Sequence, residues 1–343
     1  MFSARLGFNS SYTPLVQDLM MPSTSSPYLN GYSWSDNNGF GSRYTNPSTL
    51  PTTTQGSSRF KPDNTAILFS TPSSPYTNAY QWTLGSGFGT KYSNPGTALP
   101  TGSNRCRWTD NTNIVFGLLA SPYLTSYAFS SAGGYGTRYG PPATLLPAAP
   151  QDIGINSQGT VVSVAHPTTP FISAYQYTSG VGFGTKYSNP GTLPTAAQRI
   201  TNFLLDDNFL GTGDTTLRTY SWDNTTGFGI VSASYSVGSN PVFGMGWVGN
   251  GGTNRTLFSA GNNFIMGNLP MSSSVASLST GSTSAQAFNV SGYKISVGIS
   301  AGTTPYVKVA RMSPNLTGFS GLFANPGTLP ASSCNDIAWT YPQ

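Results

Sequence analysis

With one histidine, ten carboxylates that are all aspartate and two cysteines, this chain of 343 residues has few groups for chemistry. His166 stands alone, so no histidine-rich metal centre can be assembled and a Ser-His-Asp triad would have to use this one imidazole. At the end of a strand-like run just before Pro167 it reads as a structural residue. Glycosidases need paired carboxylates, yet Glu is absent and no Asp recurs at an equivalent place in each repeat. The expectation is therefore a protein without catalytic residues or cofactor. Asp206 and Asp207 with Asp214 offer oxygen ligands that could suit calcium, but their spacing fits no EF-hand loop and reads more simply as a turn. Cys106 and Cys334 are too few for a disulfide framework and read as free thiols. One basic set does recur: Arg43, Lys91, Arg138 and Lys186 occupy the same position in four successive copies of a repeat, while Val231 and Leu322 stand there in later copies. This makes an arc of charge, suited to an acidic partner.

The repeat that places these bases is GFGTKYSNPGTLP at Gly182–Pro194. Counterparts begin at Gly39, Gly87, Gly134 and, more worn, Gly318, and Gly227 keeps only the first three residues. The successive intervals are 48, 47, 48 and 45 residues, then 91, or two periods. A period of this size signals a propeller, solenoid or array.

Each copy divides into four short runs rich in β-branched and aromatic residues and bounded by turn residues, the pattern of regularly spaced strands. After Leu329-Pro330 the chain continues as Cys334 to Trp339, which matches the first strand of a further unit. The poorly matching N-terminal copy lacks such a strand, so a C-terminal strand completing the first blade would close a ring and remove open edges. The expected fold is all-β: one seven-bladed β-propeller of four-stranded blades over residues 1–343. Its blades are expected at about 9–54 plus 334–343, 55–101, 102–149, 150–196, 197–237, 238–284 and 285–333. The GFGTKY strand would be outermost, the Asn-Pro…Leu-Pro segment the crossover, and the Ser-Pro-Tyr elements at Ser26, Ser74 and Ser121 the turn into the third strand. Alternation of Tyr32 with Trp34, and of Tyr80 with Trp82, favours inter-blade core over an exposed sugar platform.

Only 7% of residues are charged and 13% are aromatic, so the surface is solvated by hydroxyls and amides and the chain is not of disordered type. No apolar run is long enough to span a membrane, no standard export signal is visible, and the modest basic excess, a net charge of +5, lacks the dense clusters and stripes that nucleic-acid binders usually show.

The run from His166 to Pro194, HPTTPFISAYQYTSGVGFGTKYSNPGTLP, resembles repeats found in bacteriophage virion and tail-associated proteins, themselves similar in pattern to WD-repeat-like propellers. The resemblance covers the first four copies well, the seventh in part and the fifth and sixth poorly. It implies a non-catalytic structural or decorating component of a virion, assembled in the host cytoplasm and attached to capsid, neck, tail or fibre proteins. The alternative is a receptor-binding propeller that recognises host-surface carbohydrate. Neither nucleic acid nor membrane insertion is expected.

Overall fold

Short alternating segments broken by glycine, proline and asparagine cannot form long elements, and they pair with their sequence neighbours. The computed structural model describes residues 16–341 apart from 205–206, 240, 251–252, 262, 271–272, 280–284, 292–293, 300–305, 331 and 335. Among the described residues the strands form seven four-stranded antiparallel sheets, and no helix is present. The architecture is an all-β propeller with four-stranded blades.

The second blade shows the plan, with Ser58–Phe60, Ala66–Ser70, Thr77–Thr83 and Gly87–Lys91 paired in chain order. The third runs Ser103–Trp108, Asn113–Leu118, Leu124–Ser130 and Gly134–Tyr139, and the fourth Asp152–Ile155, Val161–Ala165, Ile172–Thr178 and Gly182–Lys186. The fifth comprises Ile200–Leu204, Phe209–Gly213, Thr216–Asp223 and Gly227–Ser236. The sixth comprises Val242–Asn250, Thr253–Ala260, Asn263–Asn268 and Ser274–Ser279, and the last Ala285–Ser291, Lys294–Ile299, Val307–Met312 and Phe319–Leu322. In the first blade Val16–Pro22, Leu29–Ser35 and Gly39–Arg43 take their inner strand from the far end of the chain, Ala338–Trp339. Leu19 pairs with Trp339 and Met20 with Ala338. The Thr340 hydroxyl accepts from the Asp18 amide at 2.8 Å, and Gln17 donates to the Thr340 carbonyl at 2.7 Å. First strands of successive blades lie against one another, and Ala285–Ser291 lies against Ala338–Trp339.

The repeated motif is explained by what it does between blades. Its first glycine has a positive φ, +90° at Gly87, +77° at Gly134, +105° at Gly182 and +88° at Gly227. A Cβ there would lie 2.7 Å from Tyr44, 2.9 Å from Tyr92, 2.9 Å from Tyr139 and 2.8 Å from Tyr187 respectively. Each of those tyrosines closes the GFGTKY-type run of the preceding copy, so the two ends of the motif pack across a blade boundary. At the seam Gly39 faces Phe323, which replaces the tyrosine in the last copy. The crossover is held in a similar way: hydroxyls of Tyr80, Tyr127, Tyr220 and Tyr32 donate to the carbonyls of Thr49, Thr97, Thr192 and Thr328 at 2.7–3.0 Å. Edge-to-face stacks, Trp34 on Phe40 and Trp82 on Phe88 among them, fill the blade interior with ring centroids 5.0 Å apart. Tyr32, Trp34, Tyr80 and Trp82 are all buried, which makes them core.

Because strands alternate in direction, each blade presents its crossover and its second turn on one face of the disc and its two hairpins on the other. The Ser-Pro-Tyr elements form that second turn, with a cis Ser-Pro bond at Pro27, Pro75 and Pro122.

Candidate functional site

Side chains from the inner strands and from the segments that lead into them converge on the axis. Ser57, Arg59, Arg105, Arg107, Asp152, Arg199 and Asp336 line a recess there of about 520 Å³, counting its open side. Thr201, Asn202, Phe243 and Met245 complete its wall. Arg105 and Arg107 reach the same place because they are two apart on one strand, and residues at that spacing share a face.

Carboxylates and carbonyls fix the guanidinium groups. The Asp336 carboxylate accepts from the Ser58 amide at 2.6 Å and pairs with Arg59 at 2.5 Å. Asp152 accepts from Arg107 at 3.0 Å and, across the blade boundary, from the Thr201 amide at 3.3 Å. Arg105 donates Nε to the Gln151 carbonyl at 2.5 Å and Nη1 to the Asn104 carbonyl at 2.9 Å. Arg199 pairs with Asp214 at 2.8 Å. A guanidinium has five N–H donors, more than these bonds consume, so the recess is a preset array of donors with positive charge in excess. Burial raises Asp152 to about 6, against the charges of Arg105 and Arg59, which pull it down. That leaves a carboxylate whose proton equilibrium lies close to neutrality, as a general base requires.

Arg43, Lys91, Arg138 and Lys186 end or nearly end the outer strands of blades one to four, half-buried on the crossover face. Arg43 donates to the Leu29 carbonyl and Asn46, both at 3.5 Å, Arg138 to Thr125 at 3.2 Å, and Lys186 to Asn189 at 2.9 Å. The calcium candidates do not assemble. Asp207 lies in the hairpin before Phe209–Gly213, where it accepts from the Ser157 amide and hydroxyl, and Asp214 lies at the other end of that strand on Arg199. Asp206 is outside the described residues, and among the described residues no cluster of three metal-ligating side chains occurs. His166 is buried, with Nε2 3.1 Å from the Ser173 hydroxyl, and burial lowers its pKa to about 4. Cys106 and Cys334 are buried free thiols, raised by burial to about 11 and about 12.

Sequence reasoning missed Arg59, Arg105, Arg107, Asp152, Arg199 and Asp336. The signal was present in the first runs of the copies, RF, RCRW, DI and RI, where basic and acidic residues interrupt strands that otherwise line the axis. Because they differ from copy to copy, a search for a carboxylate repeated in every blade passed over them.

No family model and no curated protein matches the chain. Solved structures share its fold. The periplasmic gluconolactonase of Pseudomonas aeruginosa superposes with a TM-score of 0.72 at 10% identity, over 96% of this chain and all of that one. A putative 6-phosphogluconolactonase from Bacteroides fragilis gives 0.71 at 10% identity over 97% and 100%. A structure of the mitotic checkpoint complex gives 0.60 at 13% identity over 98% and 92%. At such identities the likeness establishes the fold. The expectation of a non-catalytic virion protein acting by attachment, or by binding a host glycan, is corrected on this finding, because two solved structures that match 96–97% of the chain are described as a gluconolactonase and a putative 6-phosphogluconolactonase. The missing glutamates had excluded only glycosidase chemistry.

Proposed function

We propose that this chain is a single closed seven-bladed propeller whose channel mouth binds a small anionic sugar-acid lactone and hydrolyses it. The observation that carries this reading is the recess itself, with Arg59, Arg105, Arg107 and Arg199 fixed around Asp152, whose pKa lies near 6. The names of the two lactonase neighbours supply the substrate class, and the seven sheets with the inner strand Ala338–Trp339 supply the ring.

In this mechanism the ionised Asp152 takes a proton from water as the water oxygen bonds to the lactone carbonyl carbon. Guanidinium N–H groups, already oriented by their bonds to Asp336, Gln151 and Asn104, hold the oxyanion and the substrate's anionic group without reorganising. Collapse breaks the ring C–O bond, and Asp152 returns its proton to the leaving alkoxide. Water and lactone become one hydroxy acid, and Asp152 ends as it began. The rate should rise with pH through about 6, as the carboxyl ionises.

The test is a lactone panel, neutral, carboxylated and phosphorylated, followed by acid release in a pH-stat. The expected result is turnover of the anionic members, reduced about 10²–10⁴-fold in Asp152→Asn with KM little changed. Rates equal to spontaneous hydrolysis across the whole panel would overturn the reading.

A further inference from the structure

The described carboxylates of this protein divide between the two faces of the disc. Asp63, Asp110 and Asp207 lie in inner hairpins, Asp36 and Asp223 at the ends of third strands, and Asp18 beside them, all on the hairpin face. On the crossover face the described carboxylates are Asp152, Asp214 and Asp336, and each is already paired, with Arg107, Arg199 and Arg59. Arg43, Lys91, Arg138 and Lys186 sit on the same face at the outer strands, and Arg218 and Lys308 near the start of third strands. Among the described residues none of these six is in an ion pair. The hydrogen bonds of Arg43, Arg138, Lys186 and Arg218 run to neutral oxygens, Arg218 to the Leu193 carbonyl at 2.6 Å for one, which hold these four charges in place without cancelling them.

We infer that this arc is an electrostatic collector which raises the occupancy of the channel mouth by anions over neutral analogues. The inference rests on the anion-binding reading of the recess and names how that site selects and is fed. The outer strand is three inter-strand steps from the inner one, roughly 14 Å at about 4.8 Å each, so the bases act through the field and not by contact. Four charges about 15–20 Å from the bound anion, in water at about 0.01 M salt, amount to about two- to threefold in affinity for a monoanion and about four- to tenfold for a dianion. At about 1 M salt the screening length falls to about 3 Å and the effect vanishes. This sign and size depend on ligand charge, which a structural role for the same side chains would not reproduce.

The experiment titrates inorganic phosphate at pH 8 and gluconate into the wild-type protein, the arc variant R43Q/K91Q/R138Q/K186Q and the channel variant R105Q/R107Q, at low and high salt. The arc variant should bind phosphate about four- to tenfold more weakly at low salt and equally at 1 M, with a smaller loss for gluconate, and the charge-preserving variant R43K/K91R/R138K/K186R should bind as wild type. The channel variant should lose binding at both salts. Equal affinities of wild-type and arc variants at low salt, with phosphate still displaced by the channel substitutions, would overturn the collector and leave the channel reading standing. A wild-type protein that binds neither anion would overturn both. Should the arc variant unfold, the arginine-lysine exchange set and single substitutions, each with a proportionate loss, carry the same test.

Discussion

Burial moves Asp152 up to about 6 and His166, in the same blade, down to about 4. The consequences for stability have opposite signs. Folded Asp152 keeps its proton at pH values where an unfolded aspartate has lost it, so between about pH 4 and 6 it makes stability fall as pH rises. Folded His166 refuses a proton that the unfolded chain accepts, so over about pH 4 to 6.5 it makes stability rise with pH. The two slopes oppose each other over nearly the same window. Asp152→Asn removes one of them, and the difference in unfolding free energy between variant and wild type should grow in favour of the variant from pH 4 to 6. Denaturant titrations at intervals of half a pH unit read this directly, and a difference that stays constant would mean Asp152 ionises normally. Backbone conformation sets a second residue-scale limit at Gly87, which combines a φ of +90° with the Tyr44 ring 2.7 Å from a would-be Cβ. Gly87→Ala should cost about 2–4 kcal/mol from strain and overpacking together, whereas Gly96→Ala, which meets nothing within 4 Å, should change little.

At the scale of elements the repeat was legible because the same residues do the same packing at four successive blade boundaries. Gly-Phe-Gly, the closing tyrosine and the crossover recur together since Gly87, Gly134, Gly182 and Gly227 each receive the previous copy's tyrosine, and Tyr32, Tyr80, Tyr127 and Tyr220 each bond the previous crossover. The recess was not legible, because no such coupling copies Arg59, Arg105 or Asp152; they face the axis, where each blade is free to differ. The crossover bond can be weighed on its own. Tyr127 donates to the Thr97 carbonyl at 2.8 Å, whereas the buried Tyr175 hydroxyl at the equivalent place has no crossover bond. Tyr127→Phe should lower stability by about 1 kcal/mol and Tyr175→Phe by less, read as a shift of the denaturation midpoint at constant slope. Equal losses would mean the crossover bond is not the source of the effect.

For the whole molecule the seam joins ring closure to the recess. Ala338–Trp339 gives the first blade its inner strand, Trp339 stacks edge-on to Trp34 with centroids 5.0 Å apart, and Asn64 of the second blade exchanges two hydrogen bonds of 2.8 Å with the Tyr341 backbone. The same segment carries Asp336, which ties the Ser58 amide and Arg59 at the edge of the recess. Ring closure and the carboxylate that holds Arg59 are therefore supplied by one short stretch, whose pairing crosses more than 300 residues of chain. Removing residues 334–343 should leave Val16–Pro22 as an exposed edge, lower the melting temperature and release Arg59 from its carboxylate, so that anion binding falls in the same preparation. A synthetic peptide of residues 334–343 added in trans should restore both, whereas a peptide with Asp336→Asn and Trp339→Ala should restore neither. Melting and phosphate titration of the truncated chain with each peptide distinguish the two roles: recovery of the melting temperature without recovery of binding by a peptide carrying Asp336→Asn alone would assign the strand to closure and the carboxylate to the site. A truncated chain that melts and binds as the full one does would show that the ring needs no strand from its far end.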